Sequence, residues 1–499
     1  MNVPANRRRL ALLLPVLLAG CTMAPDYQRP AADGIVEPAW PKSGTVKPVS
    51  TDTAGKPTAD LIGWRDFYTD PRLQRLIERS LANNGDLRVA VLNVARARAQ
   101  YQISDSLLFP TVDGVASADI EKTPKTLSQT GSPVTSHAYS LSLGTTSYEL
   151  DLFGRVRSLK DQALHAYLAL QETQTSVQIT LVSEVAGAWF TWLADRDLLR
   201  FNTESLATQR QSVDALRQSR KQGVISELSL RDAEALLHSS EADVAQATRQ
   251  VAQSRNALEQ LLGEPLTPEV EVFLTQGGGL ATSSVSLPQL PPGLPSDLLT
   301  RRPDLRAAEQ TLQAYNANIG AARAAFFPSV TLTAAVGTGA NGMSGLFAKG
   351  SGLWQFAPEI RLPIFDGGVN AANLKVSKID RDIALTQYKQ TIQTAFRETA
   401  DALAARATYE DQLRATEQEA KDAEESYNLS LLRFHNGIDT LLNTLTRQRT
   451  FLAAQQTAIN LRLARLQNLV TLYRVLGGGW QEGGKKEAES QAEGTLPSQ

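Results

Sequence analysis

The side chains that most often carry out chemistry in proteins are few in this chain of 499 residues and lie far apart in the sequence. The serines and carboxylates are dispersed, and no nucleophile and base form a pattern that predicts an active site. A zinc site or a disulfide framework needs clustered cysteines or histidines. The chain has only one cysteine and four histidines: Cys21, His137, His165, His238 and His435. The sequence therefore predicts no enzyme activity, no metal site and no bound cofactor.

Cys21 is the one side chain whose surroundings indicate a chemical modification. Three arginines at 7–9 precede an apolar run at 10–18, which is the pattern of an export signal. The string Leu18-Ala19-Gly20-Cys21 resembles the bacterial lipobox, in which the cysteine receives a covalent lipid and becomes the first mature residue. The alternative is an ordinary signal that happens to contain a cysteine. We expect residues 1–20 to be a signal peptide and Cys21 to be lipidated.

Charge and hydropathy exclude several function classes. Fifty Lys and Arg against 52 acids give a net charge of -2, so no nucleic-acid partner is predicted. The mature chain has no apolar stretch of about 18 residues, which excludes a helical inner-membrane pump. A phosphate-binding loop is missing, so any transport must draw its energy from a partner. Thr22, rather than aspartate, follows Cys21, which resembles sorting to the outer membrane.

The sequence repeats itself with a period of about 215 residues. Asp86-Leu87-Arg88 matches Asp304-Leu305-Arg306 at an offset of 218, and the same offset carries Phe109-Pro110 onto Phe327-Pro328. Further along, Gly223-Val224 matches Gly437-Ile438 at an offset of 214. Each copy has the same predicted order: a medium helix, a strand hairpin, and a long helical region with one interruption.

The long helical regions are predicted from missing prolines. No proline occurs between Pro133 and Pro265 or between Pro363 and Pro497, which indicates nearly continuous helix because proline breaks helices. A helix over residues 155 to about 220 would be roughly 100 Å long, and one over 226–262 roughly 55 Å. Apolar residues one heptad apart predict a coiled-coil seam at Ile438, Leu445, Leu452, Ile459, Leu466 and Tyr473.

The two hairpins, at about 110–150 and 329–365, show the period-two pattern of strands. Strands of about ten residues with one apolar face suit the wall of a membrane barrel. In residues 353–365 the predicted apolar face comprises Trp354, Phe356, Ile360, Leu362 and Ile364. An aromatic girdle is predicted at the strand ends nearest the helices, from Phe109, Phe153, Phe326, Phe327 and Phe365.

Two hairpins supply four strands, which are too few to close a membrane barrel. Lipid does not tolerate the open edges of a sheet, because its unpaired backbone groups find no water there. Either the strands form a soluble sandwich outside the membrane, or several chains share one barrel.

Four longer strings point to a known family. They are Tyr148-Glu149-Leu150-Asp151-Leu152-Phe153-Gly154, Arg301-Arg302-Pro303-Asp304-Leu305, Ala325-Phe326-Phe327-Pro328 and Pro363-Ile364-Phe365-Asp366-Gly367-Gly368. With these strings the chain resembles the TolC-like outer-membrane efflux channels, closest to the lipidated OprM/NodT branch. The resemblance covers nearly the whole chain, from Cys21 to the end of the second helical region.

This resemblance implies a mainly helical fold with a membrane β-barrel part. In a homotrimer, three chains with four strands each would form a 12-strand barrel in the lipids of the outer membrane of a Gram-negative bacterium. The long coiled-coil helices would form an α-barrel in the periplasm. Two protein partners are implied: a periplasmic adaptor (membrane fusion) protein and an inner-membrane pump, which we expect to be driven by protons.

The resemblance further implies that the segments at Gly223-Val224 and Gly437-Ile438 are hairpin tips, where the adaptor docks and the tunnel narrows. Simple helix breaking by the glycines is a compatible interpretation. At the narrow end, threefold symmetry repeats each inward side chain three times. Relatives often have Leu-Asp-Ala-Gln-Arg after the second tip, whereas this chain has Leu445-Thr446-Arg447-Gln448-Arg449.

The missing aspartate leaves other candidates for a gate at the aperture. Asp232 is the first-repeat equivalent of Thr446, and we expect it to supply an acidic ring. Asp439 and Arg449 are its candidate partners. Each of the three could instead be a solvated charge on a helix.

The predicted domains follow the repeat. A signal peptide (1–20) and a lipidated N-terminal strap (21–60) precede the first repeat (61–264). A linker (265–296), the second repeat (297–477) and a flexible C-terminal tail (478–499) complete the chain.

The main functional hypothesis is a passive exit duct for small molecules or drugs in a tripartite efflux pump. A type I protein secretion duct is an alternative, because channels of this kind serve both machineries. A nonconducting envelope scaffold lipoprotein is a second alternative, and the two amphipathic hairpins count against it.

Overall fold

The computed structural model describes residues 22–30, 58–129, 131–276, 278–280, 290 and 298–483, and most of these residues are helical. Cys21 lies outside the described residues. The helices are α1 (Trp64–Phe67), α2 (Pro71–Asn83), α3 (Gly85–Ser106), α4 (Arg155–Lys221), α5 (Glu227–Leu262), α6 (Pro268–Thr275), α7 (Leu298–Arg301), α8 (Pro303–Ala324), α9 (Val369–His435) and α10 (Leu441–Val475). Short 3-10 helices lie at Ala59–Leu61 and Met343–Gly345.

Four strands form an antiparallel sheet in the order β1-β2-β3-β4. Their bounds are β1 (Asp113–Thr123), β2 (Val134–Leu150), β3 (Ser329–Ala340) and β4 (Gly352–Arg361). The sequence placed the second hairpin at about 329–365, but β4 ends four residues earlier. Arg361 pairs with Ser329, the first residue of β3, so the residues after 361 have no partner in that strand.

The pairing of β2 with β3 contains a β-bulge, where two residues of β2 lie opposite one residue of β3. Thr145 pairs with Ala334 and Tyr148 pairs with Leu332, so the register shifts between them. Ser147 has a φ of 57° there, and its amide lies 3.3 Å from the Oγ1 atom of Thr333. A bulge increases the local twist of a strand, which suits a strongly curved sheet.

The long helices confirm the pattern predicted from the missing prolines. Helices α4 and α9 each have 67 residues, and α5 and α10 have 36 and 35. In the predicted coiled-coil seam Leu445, Ile459, Leu466 and Tyr473 are buried. Ile438 departs from the seam because it lies before the start of α10 and is 65% exposed.

Backbone contacts divide the chain into two units. One comprises residues 1–31, 93–171 and 307–389 and contains the sheet; the other, the helical unit, comprises 32–92, 172–306 and 390–499. Each unit therefore takes residues from both sequence repeats. The reason is visible in the sheet, where β2 of the first repeat pairs with β3 of the second.

The two units have different cores. The helical unit buries large aromatic side chains, including Trp64, Trp189, Trp192 and Tyr473. In the sheet-containing unit, α8 contributes mostly small buried residues, such as Ala314, Ala317, Ala321 and Ala324. Small side chains allow a neighbouring backbone to approach closely.

In the helical unit, the end of each copy of the repeat packs against the first part of the same copy. Gly263 follows α5, and a Cβ atom there would lie 2.5 Å from the carbonyl oxygen of Asn83. Gly477 follows α10, and its Cβ would lie 2.9 Å from the carbonyl oxygen of Arg301. Both glycines have a left-handed φ, 71° and 85°. Equivalent glycines therefore allow the same close packing after α5 and after α10.

Candidate functional site

Two regions of the chain are candidates for function: the sheet, and the two turns between the long helices. On the sheet, one face is apolar and open to the surroundings in the single chain. Leu143, Val336 and Trp354 lie in one row across β2, β3 and β4, and are 61%, 63% and 79% exposed. The opposite face has small or polar residues in the adjacent row, Gly144, Ala335 and Gln355.

The edges of the sheet are open as well. Among the described strands, β1 pairs only with β2 and β4 pairs only with β3. Their outer backbone groups are available to a further strand, and an open edge of this length favours such pairing. A single chain therefore has an apolar face and two edges that need partners.

The predicted aromatic girdle lies where the sheet meets the helices. Phe109, Phe326 and Phe365 are 66%, 44% and 92% exposed. Phe153 and Phe327 are stacked on each other, with ring centroids 4.8 Å apart. These positions beyond the strand ends are those that a membrane interface favours for aromatic side chains.

The turn between α4 and α5 is the first tip. Gly223 has a φ of 76°, a left-handed conformation that favours glycine. The amides of Gly223 and Val224 bond to the carbonyls of Arg220 and Ser219, at 3.0 and 2.9 Å. This is a Schellman motif, which ends a helix. Ser226 then caps α5 by accepting a bond from the amide of Ser229, at 3.1 Å.

The second tip, between α9 and α10, repeats this backbone arrangement. Gly437 has a φ of 71°, and the amide of Ile438 bonds to the carbonyl of Arg433 at 2.9 Å. Thr440 caps α10 by accepting a bond from the amide of Asn443, at 3.2 Å. Both predicted tip glycines therefore lie in turns with the same geometry.

The apolar residue after each tip glycine points outwards. Val224 is 72% exposed and Ile438 is 65% exposed. In a Schellman motif the apolar residue at this position frequently packs back on the helix it follows. Here it is left open, so each tip exposes an apolar side chain.

An apolar cluster joins the two tips. Helices α4, α5 and α10 all contribute buried side chains, among them Leu216, Leu237 and Leu445, and Ile225 and Phe434 pack against them. The two turns are therefore neighbours within the helical unit.

Of the three gate candidates, Asp439 is bound within its own turn. Its Oδ1 atom accepts bonds from the Nδ2 group of Asn443 and the amide of Thr440, each at 2.8 Å, and its Oδ2 atom accepts from the Oγ hydroxyl of Ser430 at 2.9 Å. These bonds, first the one from Asn443, lower the pKa of Asp439 below its usual value. Asp439 thus stabilises the second tip directly.

The other two candidates are free within the described part of the chain. Asp232 is partly exposed, Arg449 is exposed, and neither forms a hydrogen bond or ion pair with a described residue. The structure therefore does not bring the three candidates together in one chain.

Sequence reasoning missed a group of ion pairs beside the first tip. Glu234 on α5 binds Arg217 on α4 at 3.1 Å and Arg231 at 2.9 Å. Glu227 binds Arg220 at 3.2 Å and Arg231 at 2.9 Å. For the two pairs of Arg231 on α5, the spacing of opposite charges by three or four residues was the available signal; the pairs of Arg217 and Arg220 join α4 to α5 and have no such local signal.

In the part of the chain that the structure describes, no group of three or more His, Cys, Asp or Glu side chains is arranged to hold a metal ion. Among the described helices, none combines the length and the hydropathy needed to cross a lipid bilayer.

Comparison with known proteins places this geometry in a family. The family described as outer membrane efflux protein matches residues 76–264 and 294–478, once for each repeat. The toluene efflux pump outer membrane protein TtgC of Pseudomonas putida is 45% identical over 466 residues, with 93% of this chain and 94% of TtgC covered. The antibiotic efflux pump outer membrane protein ArpC of Pseudomonas putida is 44% identical, with the same coverage.

A solved structure has the same fold. The open state of the MtrE outer membrane channel of Neisseria gonorrhoeae superposes with a TM-score of 0.83 at 37% identity, covering 93% of this chain and all of that one.

Proposed function

This chain belongs to the outer membrane efflux protein family and is the outer-membrane channel of an efflux pump, and from that premise we propose that it is a passive exit duct assembled from three copies. The observation that supports the trimer best is the sheet with its apolar face and two open edges. Three such sheets joined edge to edge give a barrel of 12 strands, within the known range of about 8 to 26 strands.

The proposed barrel turns the apolar row of Leu143, Val336 and Trp354 towards lipid. The row of Gly144, Ala335 and Gln355 then faces the lumen. Small and polar side chains in the lumen leave an open, wettable path, as a duct requires.

The proposed partner at the other end is a periplasmic adaptor that binds the two tips. Val224 and Ile438 supply exposed apolar contacts on turns of equal geometry. Since the chain contains no phosphate-binding loop, the energy comes from an inner-membrane pump that the adaptor connects.

We place the gate at Asp232. Three copies would form a ring of like charges that attracts cations and narrows the aperture. Arg449 of a neighbouring copy is the proposed counterion, because neither residue has a partner within its own chain among the described residues. Asp439 contributes indirectly, by holding the turn beside them.

The proposed cargo is small and largely apolar. Related channels serve pumps for toluene and for antibiotics, according to their names. A lipid on Cys21, which lies outside the described residues, is the proposed second anchor in the outer membrane.

Single-channel recording in planar bilayers, with native mass measured in parallel, tests this function. We expect a trimer with a small, cation-preferring conductance that rises severalfold in Asp232→Ala. Asp243→Ala is the matched control, because Asp243 lies exposed on the same helix and has no partner among the described residues.

The outcomes separate the duct from the gate. A trimer that conducts equally in wild type and Asp232→Ala keeps the duct and removes Asp232 from the gate. A monomer, or a complex that never conducts, contradicts the proposed duct.

A further inference from the structure

Residues Thr22–Pro30, here called the anchor strap, lie along helix α8, and both belong to the sheet-containing unit. The contacts follow the helix in order. They are Arg29 and Tyr27 with Glu309, Pro25 with Asn316, Ala24 with Gly320, and Met23 with Arg323. Helix positions 309, 316, 320 and 323 share one face, because they are spaced by 7, 4 and 3 residues.

Glu309 makes the strongest of these contacts. It is only 5% exposed, although its side chain is a carboxylate. Arg29 donates to both oxygens, from Nε to Oε1 at 2.8 Å and from Nη2 to Oε2 at 2.7 Å. The hydroxyl of Tyr27 donates to Oε1 at 3.2 Å, and burial together with Glu309 raises the pKa of Tyr27 above its usual value.

Within the described residues, the hydrogen bonds and the ion pair of Glu309 come from the anchor strap, and the hydroxyl of Tyr388 on α9 is a further polar neighbour. A buried carboxylate without a counterion is strongly unfavourable, and in the packed structure Arg29 of the strap supplies that counterion to Glu309. A bidentate arginine also fixes geometry as well as charge.

The remaining contacts bring the two backbones together. Gly320 has no side chain, and a Cβ atom there would lie 2.7 Å from the amide nitrogen of Ala24. Asn316 donates to the carbonyl of Pro25 at 2.7 Å, and Arg323 donates to that of Met23 at 3.1 Å. The strap therefore lies in a groove on α8, where its backbone is close to Gly320 and accepts bonds from Asn316 and Arg323.

The direction of the strap follows from the order of contacts. From Arg29 to Met23 the strap has six steps, about 20 Å if extended, and from Glu309 to Arg323 the helix has fourteen, about 21 Å. The two lengths agree for an extended chain antiparallel to α8. The amino-terminal end of the strap, its leading end, thus reaches the last turn of α8, just before Phe326 and the start of β3.

The equivalent helix of the first repeat lacks this groove. At the offset of 218 residues, Glu309 corresponds to Val91, Asn316 to Arg98 and Gly320 to Gln102. Val91 is 37% exposed on α3 and offers no charge for Arg29. Within this chain, the groove is therefore a feature of the second repeat and not of the first.

We propose that the anchor strap is a fixed bracket: Glu309 and the α8 groove hold it so that a group carried on residue 21 emerges at the junction of α8 and β3. Consecutive Cα atoms are about 3.8 Å apart, so the lipid attaches within one residue of the held segment. The strap acts as a bracket with or without lipid. This inference rests on the proposed lipidation and outer-membrane placement.

Spin labelling tests the bracket in the full assembled chain. Cys21→Ser removes the single cysteine, and export then uses a conventional signal. Thr22→Cys supplies a label at the leading end, and Phe326→Cys supplies a separate reference label at the junction. The proteins are reconstituted in phospholipid vesicles, and label mobility and accessibility to oxygen and to a water-soluble nickel complex are measured.

In the otherwise unchanged background we expect the label at 22 to be immobilised, at the same membrane depth as the label at 326. Arg29→Ala should convert most of the signal at 22 to a mobile component. Glu309→Gln, which keeps the shape of the side chain, should do so partly, and the exchanged pair Arg29→Glu with Glu309→Arg should restore immobilisation. Arg98→Ala, at the first-repeat equivalent of Asn316, is the control and should change nothing.

Two outcomes are distinguishable failures. If the label at 22 is already mobile while 326 lies at the membrane surface, the bracket is wrong and the channel remains. If neither label meets lipid, the proposed membrane placement is wrong. If the Arg29→Ala protein is too unstable to reconstitute, the results for Glu309→Gln and for the exchanged pair decide the test.

Discussion

The first and second tips have the same backbone geometry but are stabilised by different contacts. Both use a left-handed glycine followed by an exposed apolar residue and a hydroxyl cap. At the third position of the turn the first tip has Ile225, which packs on the apolar cluster, and the second has Asp439, which bonds to the turn itself. One tip is fastened by packing and the other by polar bonds.

The surrounding side chains extend this contrast. Beside the first tip, charged pairs such as Arg220 with Glu227 are largely exposed, so they contribute little and are screened by salt. Beside the second tip, Ser430 and Thr444 are buried, and their hydroxyls lie 3.2 Å apart. Turns of equal geometry can therefore respond to different solution conditions.

The largest expected effect comes from replacing the apolar contact of the first tip by a carboxylate. Ile225→Asp removes apolar packing worth about 2 kcal/mol and places a carboxylate beside the cluster. We expect amide exchange in residues 219–230 to become about 30-fold faster. Hydrogen exchange read by mass spectrometry measures it, and Val224→Asp is the control, because Val224 is already exposed. Equal changes in both variants would contradict the packing role of Ile225.

The glycines test the shared part of the two tips. Gly223→Ala and Gly437→Ala should each destabilise their own turn by about 1 kcal/mol, because alanine is disfavoured at a left-handed φ. Exchange at each tip should rise about fivefold, by similar factors. Gly187→Ala, within α4 and with no atom near its added Cβ, is the control and should not accelerate exchange at either tip. Clearly unequal effects would show that the turns are not equivalent.

A smaller effect is expected from acid, and only at the second tip. The pKa of Asp439 is lowered in the folded chain by Asn443, Thr440 and Ser430. Its contribution is therefore present above the unfolded value, about 3.9, and is lost as the pH falls through the lower folded value. Exchange in residues 433–444, corrected for intrinsic rates, should accelerate there relative to residues 219–230. In Asp439→Asn this difference should disappear; if it persists, another group is responsible.

Salt should produce the smallest effect, and at the first tip. Raising the ionic strength from 0.1 to 1 M shortens the screening length from about 10 to 3 Å. The exposed pairs of Glu227 should weaken, with exchange at residues 219–230 rising less than about twofold. A larger change at the second tip than at the first would reverse the proposed contrast.

Much of the fold could be predicted from the sequence, because its signals are local. Missing prolines predicted both 67-residue helices, and glycines at 223 and 437 marked turns that the structure confirms. The end of β4 at Arg361 was missed, since the alternating pattern continues past the residue that lies opposite the start of β3.

The site was less predictable, because its contacts join residues far apart in sequence. Asp439 was singled out as a gate candidate, but only the structure shows its bonds to Ser430 and Asn443. Glu309 has no local signal at all, since its partner Arg29 lies 280 residues away.

The pairing of β2 with β3 has a consequence for how the assembly arose. It joins the second strand of one repeat to the first strand of the next. In the proposed ring, β4 of one chain meets β1 of its neighbour, which again joins a second strand to a first. The seam inside each chain and the seam between chains are thus the same kind of joint. Three chains then form a pseudo-sixfold ring, and an ancestor with a single hairpin could close the same ring from six subunits before tandem duplication fused them in pairs.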